Sequence, residues 1–420
     1  MSKCKLIKLS EIAKVTQGQS PESKYYSTSE GIPFMQGNRT FGMKYPIIDT
    51  FTTKTTKIAK KNDVLMSVRA PVGDLNIATC DLCIGRGLSA ITSKKNNNEF
   101  LYYSLKYNVQ NLLRQGSGTT YSSVNKDIIN DFDLIVPNDE STWEAISNLL
   151  SSLDLKVELN NKINKELEAM AKTLYDYWFV QFDFPEENGK SYKSSGGKMV
   201  YNQELKREIP EGWVVKPIAQ LIGNNKGGDW GKEQKEGNYT QKVSCIRGAD
   251  LNGLNGLGEL NPPERFILDK NSNKILESHD LIVEISGGSP TQSTGRLSFV
   301  IDETITRFEN SLICSNFCKS FSLKNPKHFY YFIYMWNNLY DNNVLFGWEG
   351  KTSGIKNLLF DSFTQKYFIV VPNESINQKF YEKMNSFNKM KQKKLKQNQE
   401  LAKLRDWILP MLMNGQVKVK

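Results

Sequence analysis

An internal repeat constrains the fold most strongly, because the chain carries the same short sequence patterns twice in the same order. Residues 134–138 read LIVPN and residues 369–373 read IVVPN, an offset of 235 residues. After each of these proline-containing strands the hydrophobic period changes from two to a helical one. Three further matches precede them: residues 6–13 with 213–219, residues 31–38 with 242–249, and residues 62–67 with 279–284. The sequence therefore predicts two similar units.

Each proline-containing strand is followed by a segment that predicts one long helix. Neither proline nor glycine occurs from residue 141 to 181 or from 374 to 409, so each helix can run for about 35 residues, roughly 50 Å. The first segment has a heptad seam sustained for about five heptads, typical of a coiled coil. Its positions are Ile146, Leu149, Leu153, Lys156, Asn160, Ile163, Leu167, Met170, Leu174 and Tyr177. The matching apolar places in the second segment are Phe380, Phe387, Met390, Leu401, Leu404 and Ile408.

The two predicted helices carry opposite charge. From residue 142 to 178 there are four basic and six acidic residues, whereas from 376 to 406 there are nine basic and three acidic ones. Complementary charge favours pairing of the two helices with each other. A solvated basic face and general phosphate contact are the alternative explanations for the second helix.

The patterns divide the chain into five segments of an α/β, or mixed α+β, protein. We expect a globular unit at residues 1–140, a long helix at 141–182, a linker at 183–210, a second globular unit at 211–373, and a long helix with a tail at 374–420. Short β-branched runs broken by glycine, proline and asparagine turns predict several short strands in each unit. The expected architecture is two similar globular units joined by two long antiparallel coiled-coil helices, with a pseudo-twofold internal repeat.

Composition favours a polyanionic partner and excludes several protein classes. The 420 residues carry 55 basic and 45 acidic side chains, a formal charge of +10, which suits nucleic acid. No run of 18 apolar residues occurs, so no membrane segment is expected. Six cysteines in a chain of this length do not make a disulfide framework. We therefore expect a cytoplasmic protein rather than a secreted, membrane or collagen-like one.

Catalytic and metal-binding signatures do not emerge from the sequence. Residues 261–264 read NPPE, which resembles the start of the adenine methyltransferase loop but places Glu264 where an aromatic ring would stack on a flipped base. The Cys80–Cys83 and Cys314–Cys318 pairs lie in different units without a nearby histidine, which favours buried thiols over zinc. The chain contains two histidines. We expect neither a catalytic residue nor a metal site.

Polar and basic loops at corresponding places of the two units are candidate DNA contacts. Arginine pairs with guanine, asparagine and glutamine pair with adenine, and hydroxyls bind phosphate. The alternative that these residues only build turns stays open. The candidates are Gln17, Gln19, Gln36, Asn38, Arg39, Arg69, Ser117, Thr119, Thr120 and Tyr121 in the first unit, and Arg247, Asp250, Thr291, Gln292, Arg296, Trp348, Lys351 and Thr352 in the second.

A central and a terminal tract resemble the specificity subunits of type I restriction-modification systems. The central tract comprises residues 153–164 (LDLKVELNNKIN) and 174–185 (LYDYWFVQFDFP), with 188–200 and 209–213 following; the terminal tract is 404–416 (LRDWILPMLMNGQ). The resemblance implies two target recognition domains, each of which reads one half of a split double-stranded DNA target. It also implies two modification (methyltransferase) subunits and restriction subunits as partners. S-adenosylmethionine, ATP and magnesium are then expected on those partners, with no cofactor in this chain.

The helices are the expected docking surface for the partner subunits. Polar breaks in the seam and exposed apolar neighbours such as Leu150 and Leu395 suggest that partner helices complete a bundle. The partner-binding candidates are Leu149, Leu153, Leu167, Met170, Leu174, Phe387, Leu401, Leu404 and Ile408. Two other functions remain open: a solitary methyltransferase or nuclease with an unrecognised active site, and a coiled-coil scaffold without a DNA role.

Overall fold

The computed structural model describes residues 4–114, 123–187, 189–287, 291–352 and 355–419. The chain separates into two compact units: Met1–Glu158 with Gln399–Lys420, and Leu159–Asn398. The first is called unit 1 and the second unit 2. This division places the end of the last helix with unit 1, and the five segment boundaries expected from the sequence stay a prediction.

Unit 1 is a mixed α/β unit built on two sheets. Its strands are β1 (Cys4–Lys8), β2 (Ala13–Gln17), β3 (Tyr26–Ser27), β4 (Ile32–Met35), β5 (Phe51–Thr52), β6 (Ile58–Ala59), β7 (Val64–Ser67), β8 (Leu75–Ile77), β9 (Leu82–Ile84), β10 (Leu88–Ser93) and β11 (Asp133–Pro137). Its helices are α1 (Leu9–Ile12), α2 (Asn98–Arg114), α3 (Lys126–Asn130) and the first half of α4 (Thr142–Tyr175). The sheets have the orders β2-β10-β7-β8 and β3-β5-β4-β9-β6, and β1 pairs with β11. Phe100, Trp143 and Leu412 share the core between the first sheet and the helices.

Unit 2 repeats this arrangement. Its strands are β12 (Met199–Asn202), β13 (Arg207–Pro210), β14 (Val214–Pro217), β15 (Ile222–Gly227), β16 (Tyr239–Ile246), β17 (Glu264–Leu268), β18 (Leu281–Glu284), β19 (Ser286–Gly287), β20 (Leu297–Phe299), β21 (Ser311–Cys314), β22 (Cys318–Leu323), β23 (Glu349–Thr352), β24 (Ile355–Leu358) and β25 (Phe368–Val371). Its helices are α5 (Leu251–Leu254), α6 (Asp302–Ile305), α7 (Phe329–Asp341), α8 (Phe360–Lys366) and most of α9 (Glu374–Met413). A π-helical turn at Asp176–Val180 extends α4. Phe321, Trp336 and Phe380 lie in its core.

The sheet orders confirm the predicted fold class and the repeated plan. The unit 2 sheet β15-β22-β18-β20 matches β2-β10-β7-β8, and the β14–β25 pair matches β1–β11. The only parallel pairings among the described strands are β4 with β9 and β16 with β21. Before β7 and β18 stand Asn62 and His279, both with left-handed backbone, φ 73° and 70°. Their N–H groups donate to Ala78 and Val300 carbonyls at 2.8 Å, so the two turns are equivalent.

Both long helices begin directly after the proline strands, as predicted. The Asn373 side chain accepts the N–H of Ile376 at 2.9 Å and caps α9. Within unit 2 the two helices are antiparallel, because Asn160 bonds to Asn398 at 2.8 Å while Trp178 packs on Phe380 with ring centroids 5.7 Å apart.

The predicted seam of α4 is displaced by one residue from the face that the helix buries. The buried residues are Ile146, Ser147, Leu150, Asp154, Val157, Asn160, Asn164, Leu167, Ala171 and Tyr175. Lys156 and Tyr177 are exposed, and Leu150 is fully buried, so the expectation of an exposed Leu150 was wrong. The reason is that Asp154 and Asn164 lie on the buried face and bond to α9, which a search for apolar periodicity does not register.

Candidate nucleic-acid interface

Unit 1 brings two arginines and a glutamine to one concave surface. Gln17 ends β2, Arg69 follows β7, and Arg86 precedes β10, which pairs antiparallel with both strands. These three ends therefore lie at the same edge of the sheet. Together with Ser123 and Asn125 they line a depression of about 430 Å³, which we call the unit 1 cleft.

The two arginines of the unit 1 cleft carry uncompensated charge. Both side chains are exposed, and neither forms an ion pair with a carboxylate in the part of the chain that the structure describes. Their backbones are fixed: Arg69 forms a β-bridge with Ser123, and the Arg86 N–H donates to Ser20 Oγ at 3.1 Å. A fixed, unpaired guanidinium can donate to a phosphate or to the guanine edge.

A second depression, of about 290 Å³, holds the next group of candidates in unit 1. Arg39 is paired with Asp49 through its Nη2, 2.7 Å from Oδ2, and this hydrogen bond lowers the pKa of Asp49. Gln36 Oε1 accepts from Ser20 Oγ at 3.2 Å and from the Tyr26 hydroxyl at 3.1 Å. These two hydrogen bonds fix the orientation of the Gln36 side-chain amide.

The remaining unit 1 candidates divide into two groups. Asn38 donates through Nδ2 to Asp74 Oδ2 at 2.6 Å, and Gln19 is exposed. Four candidates lie outside the described residues: Ser117, Thr119, Thr120 and Tyr121.

In unit 2 the structure joins two candidates to each other. Arg247 Nε lies 2.7 Å from Asp250 Oδ2, and its Nη2 donates to Asp250 Oδ1 at 3.1 Å and to the Asn261 carbonyl at 2.8 Å. Asp250 is buried, and the bonds from Arg247 and Asn261 lower its pKa against the effect of burial. The guanidinium is held rigidly, with its charge largely compensated.

The Arg296 side chain also forms an ion pair with a carboxylate. Its Nε and Nη2 donate to Glu284 Oε2 and Oε1 at 2.9 and 2.7 Å. It lines a groove of about 340 Å³ together with Gln292 and the acidic residues Glu168, Asp176 and Asp341. Lys172 also lines this groove and pairs with Asp341, so the lining carries both signs of charge and the DNA contact by Arg296 stays a prediction.

The other unit 2 candidates lie at the surface or on the hairpin β23–β24. Thr291 is exposed, and Lys351 and Thr352 lie in β23. Trp348 is half-buried against Phe363, with ring centroids 5.3 Å apart, so it contributes to packing.

The described residues contain no group of three or more histidine, cysteine or acidic side chains arranged to hold a metal ion. Within those same residues, no helix is long and apolar enough to cross a membrane.

Comparisons with known proteins agree on one family. The family model of the type I restriction modification DNA specificity domain matches residues 1–169. The MjaIX specificity subunit of Methanocaldococcus jannaschii is 25% identical over 431 aligned residues, which cover 98% of this chain and 93% of that protein. The chain is similar to the type I restriction-modification specificity subunits, and its residues 1–169 match their DNA specificity domain.

Two further relatives differ in how much they share with this chain. The MjaX specificity subunit from the same archaeon is 37% identical over 164 residues, which is 38% of each protein's length. The crystal structure of the type I system S subunit from M. genitalium has a TM-score of 0.59 at 13% identity and covers 98% of this chain and 96% of that one, so the two share the fold.

The long helices use many of the predicted partner-binding residues in their own packing. Leu167 is buried, and Leu149, Leu153, Leu174, Phe387, Leu401 and Ile408 are half-buried. Met170 and Leu404 are about half exposed. Large exposed apolar side chains that the heptad reading did not select are Leu155, Leu159 and Trp407.

Sequence reasoning missed the unit 2 loop that corresponds to Gln17 and Gln19. Added Cβ atoms at Gly18 and Gly228 would lie 2.2 and 1.9 Å from the carbonyls of Gly85 and Ser315, so both positions require glycine. The loop after Gly228 carries Trp230, which is 37% exposed and stacks on the Arg265 guanidinium at 4.3 Å. The sequence signal that could have identified this loop is the glycine that follows the corresponding strand in both units, Gly18 after β2 and Gly228 after β15.

Proposed function

We propose that this chain reads a bipartite double-stranded DNA target, with one half-site read by each unit, and provides no catalytic group itself. The observation that carries the proposal is the unit 1 cleft, where Arg69 and Arg86 lie beside Gln17 without a carboxylate partner among the described residues. Arginine and glutamine are side chains that read base edges, and an unpaired arginine also binds phosphate.

In unit 2 the reading group is different. Arg247, fixed by Asp250, is oriented for a directed contact, and Trp230 offers an exposed ring for a sugar or a base. The unit 2 half-site is therefore read by positioned side chains with little free charge.

The partners follow from the family. We propose that two modification subunits and the restriction subunits assemble with this chain, and that S-adenosylmethionine, ATP and magnesium are bound by those subunits. The same proposal places the chain in the cytoplasm, where the DNA is accessible to the assembly.

DNA reading is tested by selection from a randomised duplex pool. The full chain, alone and co-expressed with the modification subunit of its host, should enrich two defined half-sites separated by a fixed spacer. Enrichment of a single continuous site, or of no sequence, would contradict the proposal.

The same preparations separate a specificity subunit from a DNA-processing enzyme. We expect the chain alone to transfer no methyl group from S-adenosylmethionine and to cut no DNA with magnesium, whereas the complex methylates adenine. Methyl transfer or cleavage by the chain alone would favour the enzyme alternative.

Partner docking is tested on the exposed apolar residues of the helices. Leu159→Asp with Met170→Asp should abolish co-purification with the modification subunit, because a charge replaces the apolar contact while the chain's own core is untouched. Lys162→Asp, at an exposed polar position of the same helix, is the control and should leave co-purification intact.

A further inference from the structure

The loop that follows β4 in unit 1 joins the recognition surface to the long helices. This loop, residues 36–50, carries Asn38 and Arg39 at one end. Further along, the Lys44 ammonium donates to Glu99 Oε2 on α2 at 2.7 Å and lies 3.7 Å from Asp154 Oδ2 on α4. A single lysine thus connects the loop to two helices.

The buried ammonium of Lys44 is surrounded by groups that compensate its charge. It is 5% exposed, and the rings of Tyr45, Tyr102 and Tyr103 lie 5.1 to 5.7 Å from its Nζ. These aromatic faces and the two carboxylates compensate the buried charge. Its position, and that of the loop backbone, is therefore fixed by the helices.

The corresponding loop of unit 2 is fixed in the same way, with a glutamine on the long helix in the role that Lys44 has in unit 1. This loop, residues 247–263, begins with Arg247 and Asp250. Gln392 on α9 donates through Nε2 to Asn255 Oδ1 at 2.9 Å and accepts from Arg307 Nη1 at 2.6 Å. Arg307 also donates to the Leu254 carbonyl at 2.8 Å.

The two attachments occupy equivalent places in the repeat. Both loops follow the strand of their unit that forms the parallel pairing, β4 or β16. Each is also bonded to the last strand of the four-strand order: Asn76 Nδ2 on β8 donates to the Gly42 carbonyl at 2.9 Å, and Asn255 Nδ2 donates to Ser298 Oγ on β20 at 2.6 Å. The same connection is thus made twice with different residue types.

We propose that Lys44 and Gln392 are positioning residues through which the long helices hold the base-reading loops in place. The proposal rests on the DNA-reading function above. Neither side chain touches the unit 1 cleft or the Arg247–Asp250 pair, so each acts on recognition through its loop. A displacement of the helices, such as the docking of a partner on them, changes base reading in the unit whose loop is attached there.

The contact of Lys44 is separable from the stability of the helix pair. Asp154 keeps Arg405 Nη1 at 2.7 Å and the Tyr103 hydroxyl at 2.5 Å when Lys44 is removed. Lys44→Met retains the length of the side chain without its charge. Gln392→Met makes the corresponding change in unit 2, and Lys391→Met removes a buried lysine that pairs with Glu168 and contacts neither loop.

The test is competition binding of the full chain, in complex with its modification subunit, to the selected duplex and to duplexes with one base pair changed in either half-site. Lys44→Met should reduce base preference about tenfold in the unit 1 half-site alone, Gln392→Met should do so in the unit 2 half-site alone, and Lys391→Met in neither. Lys44→Arg should restore most of the preference because it keeps the charge.

The outcomes distinguish positioning from folding and from the proposed function. Loss of folded protein would lower binding to all duplexes equally, and such uniform loss, or unchanged preferences in both variants, overturns the inference. If Lys44→Met does not fold, the half-site preferences of Gln392→Met alone test the inference, because Gln392 lies in the other unit. A wild-type chain without any half-site preference would refute the proposed function instead.

Discussion

In unit 1 the arginines at the recognition surface, Arg69 and Arg86, lack a carboxylate partner among the described residues, whereas in unit 2 Arg247 and Arg296 each form a two-bonded ion pair. Both sets lie on loops that extend from the same strand framework. The difference shows that one repeated scaffold supports two recognition chemistries. Unit 1 attracts a polyanion through free charge, and unit 2 presents donors whose direction is fixed and whose charge is compensated.

The helix seam shows the same contrast between the units. In unit 1, Asp154 is paired with Arg405 in a buried ion pair, whereas in unit 2 the seam amide of Asn160 donates to Gln397 and Asn398 at 2.9 and 2.8 Å. The unit 2 seam also holds a buried lysine, Lys391, paired with Glu168, so the contrast is between the Asp154 and Asn160 positions and not between whole seams.

The largest expected effect is on the unit 1 seam. Asp154→Ala leaves Arg405 with only Asp406 as a partner and should lower the free energy of unfolding by about 3–5 kcal/mol. Asn160→Ala in unit 2 should cost only about 1–3 kcal/mol, because it removes neutral hydrogen bonds. Urea denaturation of the full chain measures both; equal losses would remove the contrast between the Asp154 and Asn160 positions.

The next effect is on DNA affinity. Arg69→Ala and Arg86→Ala should each weaken binding by about 1–3 kcal/mol, and each should reduce the salt slope by about 1 if the contact is to phosphate. Lys60→Ala, an exposed lysine of unit 1 already paired with Asp81, is the matched control and should change little. Titrations at several salt concentrations give both quantities, and an effect of Lys60→Ala as large as that of the cleft arginines would contradict a defined cleft.

The paired arginines should affect specificity more than affinity. Arg247→Ala should cost about 1–3 kcal/mol on the preferred sequence and relax one base position, because a guanidinium held by Asp250 has a fixed direction. Arg39→Ala tests the same effect in unit 1, where Asp49 holds the guanidinium. Uniform weakening on all sequences would instead identify the residue as a phosphate contact.

The smallest expected effect is a pH dependence of stability that is confined to unit 2. Burial lowers the pKa of His279 and of His328, the two histidines of the chain, both of which lie in unit 2. Because the unfolded chain takes up protons first, stability is complete above about pH 6.5 and falls as the pH drops below it. Hydrogen exchange at pH 7.5 and 5.5 should show the loss in unit 2 alone.

A substitution taken from the equivalent position of unit 1 provides the control. His279→Asn introduces the residue that unit 1 has at the equivalent left-handed position, Asn62, so the backbone is tolerated. It should reduce the pH dependence in unit 2; an unchanged dependence would assign it to other groups.

The sequence predicted the repeat, the mixed class and the long helices, because these depend on periodicity and on Pro and Gly placement. It misplaced the helix face by one residue at most positions, since Asp154 and Asn164 are buried by partners that lie far away in sequence. Which polar residues are buried in the seam depends on their partners in the folded chain, and composition does not show those partners.

The recognition surface was predicted in part. Gln17 and Arg69 were selected and do share a cleft, but Arg86, between two glycines, was missed. The carboxylate partners of Arg39, Arg247 and Arg296 were also not foreseen as partners, although Asp250 had been selected as a DNA contact. Whether an arginine is free or paired depends on three-dimensional neighbours that residue type does not show, and the DNA contacts themselves stay a prediction.

Separate reading by two units is the central claim, and exchange of one unit tests it most directly. Residues 1–140 are replaced by the equivalent segment of a related specificity subunit, and the methylated adenines of the host genome are sequenced. The account predicts that one half-site changes while the other half-site and the spacer length are retained. A simultaneous change of both half-sites would contradict it.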